Sequence, residues 1–193
     1  MSLPPPLLVL TDRSQCSRPL RDVVAAAVDA GARGVVLREK DLPDDERDRL
    51  ADDLRALLEP VDGLLIRAGL AGAGVDDAVH LAAHEPFPPR RPALVGRSCH
   101  SAAELARARD EGCDYAFLSP IFPTPSKPGY GPALGVDGFA RLVAGALPTW
   151  ALGGVRPEHV PELTATGAAG VAVMGPVMRV PGLVSNYLSE LDN

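Results

Sequence analysis

The chain of 193 residues is poor in cysteine and in aromatic residues, and it has no long apolar run. Its three cysteines, Cys16, Cys99 and Cys113, are odd in number and widely spaced. That pattern excludes a disulfide framework and a clustered zinc site, and predicts thiols that are mostly buried and unpaired. No apolar run approaches the ~20 residues of a membrane helix. The first residues, MSLPPPLLVLTD, hold no basic segment, so no signal peptide is expected and the chain reads as cytoplasmic. Positive charge is not in excess: 19 Lys and Arg stand against 25 Asp and Glu, a net charge of −6. With no basic stripe, general nucleic-acid binding is excluded. No GxGxxG follows the first apolar run, and there is no HExxH and no Ser-His-Asp order. Dinucleotide binding and hydrolysis therefore lack motif support.

Proline and glycine, by contrast, are plentiful, and they crowd one stretch. Leu118 to Gly135 reads LSPIFPTPSKPGYGPALG. An apolar strand ends here in a loop with prolines at 120, 123, 125, 128 and 132 and glycines at 129, 131 and 135. Each proline fixes its φ and removes a backbone donor, so the loop loses little entropy on ordering. Within it lie Ser119, Thr124, Ser126 and one cation, Lys127. Hydroxyls, an ammonium and glycine-exposed amides suit a phosphate. A rigid surface loop with an incidental lysine would read the same way.

Around this loop a pattern repeats: a short apolar run, a loop, then an amphipathic segment. The apolar runs are Leu7–Thr11, Gly34–Arg38, Gly63–Arg67, Ala78–Leu81, Ala93–Arg97, Asp114–Ser119, Thr149–Leu152 and Gly170–Met174. Each is short and almost continuously apolar, as parallel strands covered on both faces are. Helices are predicted over Leu20–Ala30, Pro43–Leu58, Ser101–Glu111, Val136–Ala146, Pro157–Thr166 and Gly182–Leu191. Pro43 and Pro157 stand where helices can start; Gly31, Gly112 and Gly167 stand where they stop. Ala68–Val75 has room for only a short helix, and His84–Pro92 is too proline-rich for a full one. Eight such repeats in one domain, 1–193, predict an α/β fold, a small (β/α)₈ TIM barrel. An open doubly wound sheet is the alternative.

Barrel chemistry gathers at the C-terminal ends of the strands. Those ends read Thr11-Asp12-Arg13, Arg38-Glu39-Lys40, Arg67-Ala68-Gly69, His80 followed by His84-Glu85, Arg97-Ser98-Cys99-His100, the proline loop, Gly153-Gly154 and Met174-Gly175. Cations and small residues that bare the backbone predominate, which predicts an anion site, with Gly154 and Gly175 offering amides. His80 alternates within a strand and reads as a core histidine, Ser101 as a helix cap, and His159 as a solvated helix residue.

In order along the chain, Leu10-Thr11-Asp12, Leu37-Arg38-Glu39-Lys40, Val79-His80-Leu81, Gly96-Arg97-Ser98-Cys99-His100-Ser101, SPIFPTPSK from Ser119 to Lys127, and Ala151-Leu152-Gly153-Gly154-Val155 resemble the thiamin phosphate synthase/TenI family. The resemblance implies a small (β/α)₈ barrel in thiamin biosynthesis. Synthases of that family join hydroxymethylpyrimidine diphosphate to a thiazole phosphate with Mg²⁺ and release diphosphate. TenI members act as thiazole tautomerases, shifting a proton on a thiazole carboxylate phosphate. By matched position, the resemblance makes Arg38, Lys40, Ser98 and Lys127 diphosphate contacts, and Thr124 and Ser126 thiazole-side hydroxyls. Gly154, with Met174 and Gly175, becomes the phosphate cradle. Lys127, His80 and His100 are the catalytic candidates. The chain also departs from the family. The pyrimidine-reading Gln is Val36, the Asn-Asp after strand three is Arg67-Ala68, and the Gly-Gln-x-Asp after strand four is Ala82-Ala83-His84-Glu85. Glu85 is thus the one remaining candidate metal ligand, and a hard cation is poorly held by one carboxylate. Arg67 is expected to set a positive charge beside that place. Pro120 stands where TenI members have their histidine. These departures imply a TenI-like protein that binds a small-molecule thiazole phosphate. A true synthase, also taking the pyrimidine diphosphate, and a non-catalytic phosphate binder are the alternatives. The family also implies a homodimer, with no nucleic-acid or membrane partner.

Overall fold

In the computed structural model, residues 2–123 and 132–192 are described. Each predicted apolar run forms a strand: β1 Leu7–Leu10, β2 Gly34–Leu37, β3 Leu64–Ala68, β4 Ala78–Leu81, β5 Leu94–Cys99, β6 Tyr115–Leu118, β7 Thr149–Leu152 and β8 Gly170–Val173. All neighbours pair in parallel, and β1 pairs with β8, so the sheet closes as a barrel in chain order. The open-sheet alternative is thereby set aside.

Parallel strands covered on both faces divide their side chains by parity. One parity fills the barrel: Leu8, Leu10, Val36, Ile66, Tyr115 and Trp150 belong to the inner cluster. The other parity, with Leu7, Val9, Val35, Leu37 and Val79, packs outward against the helices. The large inner rings need small neighbours. Tyr115 is paired in register with Gly96, and Trp150 with Gly170. A Cβ on Gly170 would lie 2.5 Å from the Trp150 indole nitrogen, and one on Gly96 would overlap the Tyr115 ring. The Trp150 Nε1 donates to the Pro5 carbonyl at 3.0 Å, which seals the N-terminal end.

The helices are α1 Leu20–Asp29, α2 Asp44–Leu58, α3 Ala102–Asp110, α4 Gly135–Val143, α5 Val160–Ala165, α6 Gly175–Arg179 and α7 Leu183–Leu191. Their ends follow local chemistry. Asp44, Asp45 and Glu46 occupy the first turn of α2, where the helix dipole favours acids. Ser101 caps α3 by accepting the Glu104 amide. Gly31, Gly112 and Gly167 follow α1, α3 and α5 with φ of 109°, 86° and 98°. Turns alone connect β3 to β4 and β4 to β5. Among the described residues, no helix is long and apolar enough to cross a membrane. Cys99 and Cys113 are buried free thiols and Cys16 is half-buried. Burial pushes the Cys99 thiol up to about 12, so it is no nucleophile near neutral pH.

Candidate active site

The loops at the C-terminal ends of the strands enclose a cavity of about 750 Å³. Arg38, Lys40, Ser98, His80, His100, Gly154, Met174 and Gly175, all sequence candidates, line it together. Thr124, Ser126 and Lys127 lie outside the described residues. Among the described lining residues, four are Arg or Lys, namely Arg38, Lys40, Arg156 and Arg179, and none is acidic. In a chain of net charge −6, that is a local inversion of sign.

Each wall has a distinct construction. At the β2 end, the Arg38 amide donates to Thr11 Oγ1 at 3.0 Å, and its Nη1 lies 2.9 Å from Met174 Sδ across the mouth. Glu39 has the opposite parity and turns outward, where the Arg13 guanidinium meets it at 3.1 Å. At the β7 end, Gly153 and Gly154 adopt φ of 98° and 66°. The first residues of the proline loop run against them: the Ile121 amide donates to Leu152 O at 3.0 Å and the Phe122 amide to Gly153 O at 2.9 Å. At the β8 end, Arg179 donates to Gln15 Oε1 at 2.6 Å, and Gln15 donates to Asp12 Oδ2 at 2.7 Å. A Cβ on Gly175 would lie 2.9 Å from the Arg179 guanidinium, so glycine leaves that group room beside the Gly175 backbone. Among the described residues, none accepts a backbone hydrogen bond from the amides of Gly154 or Gly175.

The histidines differ in kind. His80 is buried at the cavity floor, stacked on Phe117 with centroids 3.9 Å apart. Its Nδ1 lies 3.1 Å from the Tyr115 hydroxyl and its Nε2 2.9 Å from Ser98 Oγ. Burial, with Lys40, Arg97 and Arg38 nearby, lowers its pKa to about 3. His100 is half-buried; its Nδ1 lies 2.8 Å from the Ser119 carbonyl oxygen and 3.2 Å from Ser119 Oγ. His159 is not the solvated residue that its helical position suggested: it lines the cavity and its ring lies 4.0 Å from that of Phe122.

Stability must follow His80. Unfolded, it takes a proton near pH 6.5; folded, only near pH 3. Between those values the unfolded chain holds the extra proton, so stability falls as pH falls through that window. The expected loss is at most about 3 kcal/mol between pH 7 and 4, read by urea denaturation across that range. A His80→Gln variant should show a flatter profile, and an equally steep one would remove His80 as the cause.

Two charged residues are placed differently from expectation. Arg67 does not face the mouth. Its strand parity turns it outward, where it is buried, pairs with Asp48 and donates to Ala71 O at 3.0 Å. It therefore sets no positive charge in the cavity, while Ala68, of inward parity, does line it. Glu85 does not line the cavity either; its carboxylate accepts the Ala82 amide at 2.8 Å and closes its own turn. Among the described residues, no group of three or more His, Cys, Asp or Glu side chains is placed to hold a metal ion. The described lining residues, which include no carboxylate, do not fit Mg²⁺, which needs carboxylate or other oxygen ligands in near-octahedral array.

Sequence reasoning passed over Arg156, His159 and Arg179. Arg179 stands four residues after Gly175, one helical turn on, and Arg156 and His159 follow the β7 glycines closely. In a barrel, any residue on the loop or first turn after a strand belongs to the same mouth, and that spacing was the available signal.

The family model for thiamine monophosphate synthase matches residues 7–177. A Geobacter sulfurreducens protein, provisionally named a thiamine-phosphate synthase, is 37% identical over 188 residues, covering 91% of this chain and 87% of its own. The thiamine-phosphate synthase of Methanoculleus marisnigri is 35% identical over 183 residues, covering 89% and 87%. Among solved structures, the thiamine phosphate pyrophosphorylase of Pyrococcus furiosus superposes with a TM-score of 0.81 at 25% identity, over 96% of this chain and 95% of that one.

Proposed function

The chain belongs to the thiamine monophosphate synthase family, and from that premise we propose that it binds a thiazole phosphate in the barrel mouth, in the manner of the TenI members. The observation that carries this reading is the lining of the cavity: four cations and no carboxylate among the described residues. A ligand with two anionic ends suits it. The phosphate goes to the amides of Gly154 and Gly175 beside Arg179. A ring carboxylate goes to Arg38, Lys40 and Ser98 across the cavity. Thr124, Ser126 and Lys127, which lie outside the described residues, are assigned to the same ligand on the family resemblance alone.

A tautomerase moves one proton on the ring, and the base must reach it. His80 is ill suited, because both its ring nitrogens are engaged within the barrel wall. We assign the proton transfer to His100. It lines the cavity, and its Nδ1 lies 2.8 Å from the Ser119 carbonyl oxygen, a contact that fixes the orientation of the ring.

The pyrimidine half supports the same choice. Val36 is apolar where the family reads the pyrimidine, and Ala68 offers no oxygen where it holds Mg²⁺. The names of the relatives favour the second reading, a synthase that forms thiamin phosphate from hydroxymethylpyrimidine diphosphate. In that case Arg38, Lys40 and Ser98 would neutralise the leaving diphosphate. We further place the protein in the cytoplasm, as a homodimer.

Calorimetry with the thiazole phosphate, and a turnover assay with both substrates across a Mg²⁺ titration, separate the readings. Binding is expected, with proton exchange on the thiazole carboxylate phosphate that His100→Gln abolishes. Thiamin phosphate formation is expected to be slight. Mg²⁺-dependent synthesis at ordinary enzyme rates, roughly 1–1000 per second, would return the chain to the synthases. Binding without any turnover would make it a phosphate binder.

A further inference from the structure

Inside the barrel, beneath the cavity, three polar side chains from three strands form one line: Tyr115 on β6, His80 on β4 and Ser98 on β5. We propose that Tyr115 and His80 are positioning residues that hold Ser98 as a hydrogen-bond donor toward an anionic oxygen in the cavity. The proposal rests on the functional reading only in taking the ligand to be an anion.

The direction of each hydrogen bond follows from counting protons. Tyr115 is fully buried, and its pKa is raised by desolvation, so the phenol keeps its proton. Among the described residues, the one acceptor for that proton is His80 Nδ1, at 3.1 Å. A buried hydroxyl without an acceptor is costly, so Tyr115 donates and Nδ1 accepts. A neutral imidazole carries a single N–H, and His80 is neutral near pH 7 because burial and the neighbouring cations hold its pKa to about 3. The proton is therefore on Nε2 and is donated to Ser98 Oγ at 2.9 Å. With that lone pair engaged, the Ser98 hydroxyl proton is free of His80 and turns to the cavity that Ser98 lines with Arg38 and Lys40.

The consequence is selectivity. A serine whose proton went to His80 would show an anion only lone pairs. Held the other way, it has its proton to donate to a phosphate, diphosphate or carboxylate oxygen. The frame around the relay is rigid. Phe117 stacks on the imidazole at 3.9 Å, Gly96 makes room for the Tyr115 ring, and Gly96 and Tyr115 are paired in register.

Two measurements test the relay. The first needs no ligand: long-range ¹H–¹⁵N spectra of histidine-labelled protein should place the His80 proton on Nε2. A proton on Nδ1 overturns the proposal. The second is a double-mutant cycle of Tyr115→Phe and Ser98→Ala, with inorganic diphosphate and thiazole phosphate as calorimetric probes. Loss of a hydrogen bond to a charged group predicts a fall of about tenfold to a hundredfold for Ser98→Ala. Tyr115→Phe, which keeps the ring, should weaken binding several-fold alone and add nothing in the Ser98→Ala background. Additive losses, or unchanged affinity in Tyr115→Phe, would mean a structural role and sink the relay. If diphosphate binds and follows the cycle while thiazole phosphate does not bind, the functional reading fails and the relay stands. If both bind but losses add, the relay fails and the reading stands. A wild-type protein that binds neither overturns both.

Discussion

Replacing Arg97 by methionine is expected to destabilise the barrel by about 3–5 kcal/mol, the range for removing one partner of a buried ion pair. Arg97 is fully buried on the outward parity of β5. Its guanidinium reaches Glu111 at 2.7 Å, and donates to the carbonyls of Ala82 at 2.9 Å and Glu85 at 2.6 Å. One side chain thus ties the end of α3 to the loop after β4. Methionine fills a similar volume but leaves the carbonyls without a donor inside the protein. Glu111 keeps Arg107 at 2.8 Å, so the lower part of the range applies if that pair takes over its charge. At this chain size the loss corresponds to a fall of roughly 6–20 °C in Tm. Arg97→Lys should recover only part of it, because one ammonium cannot span the same acceptors. Urea denaturation with unchanged m-value is the measurement, and a methionine variant within about 1 kcal/mol of the parent would contradict the assignment.

Arg97 also marks the boundary of what the sequence made legible. The eight strands could be read, because runs such as Val35-Val36-Leu37 are apolar at every position and glycines follow the helices. The ring of strand ends could be read too, and it brought Arg38, Ser98, Gly154 and Gly175 to one mouth. Parity could not. On a strand buried on both faces, the apolar pattern is the same for either parity, and only the register decides which side chains enter the barrel. So Arg67, expected at the mouth, is buried outside against Asp48, while His80 is inside beside Tyr115. Glu85 was misplaced for a different reason: its carboxylate satisfies the Ala82 amide of its own turn, a local hydrogen bond that short polar loops favour. Ala68, by contrast, faces the cavity, so it is the position from which a restored carboxylate would reach a metal there.

Gly154→Ala is expected to weaken thiazole phosphate binding on the order of a hundredfold, which is about 2.7 kcal/mol. Two costs add at this residue. Its φ is 66°, where a Cβ costs about 1–2 kcal/mol. The new methyl would also lie 2.6 Å from the Pro123 carbonyl oxygen and 2.8 Å from Phe122 Cβ. Both neighbours belong to the base of the proline loop, whose Phe122 amide is bonded to Gly153 O. Relief of the contact must move either that loop or the amides proposed to hold the phosphate, and each movement spoils the cradle. Gly167 supplies the control within the same chain. It has a φ of 98° but nothing within 4 Å of an added Cβ, and it ends α5 away from the cavity lining. Gly167→Ala should therefore cost about 1–2 kcal/mol of stability from backbone strain alone, with thiazole phosphate affinity unchanged. Calorimetry and urea denaturation on the pair separate strain from site geometry. A folded Gly154→Ala protein that binds thiazole phosphate as the parent does would remove Gly154 from the proposed phosphate site.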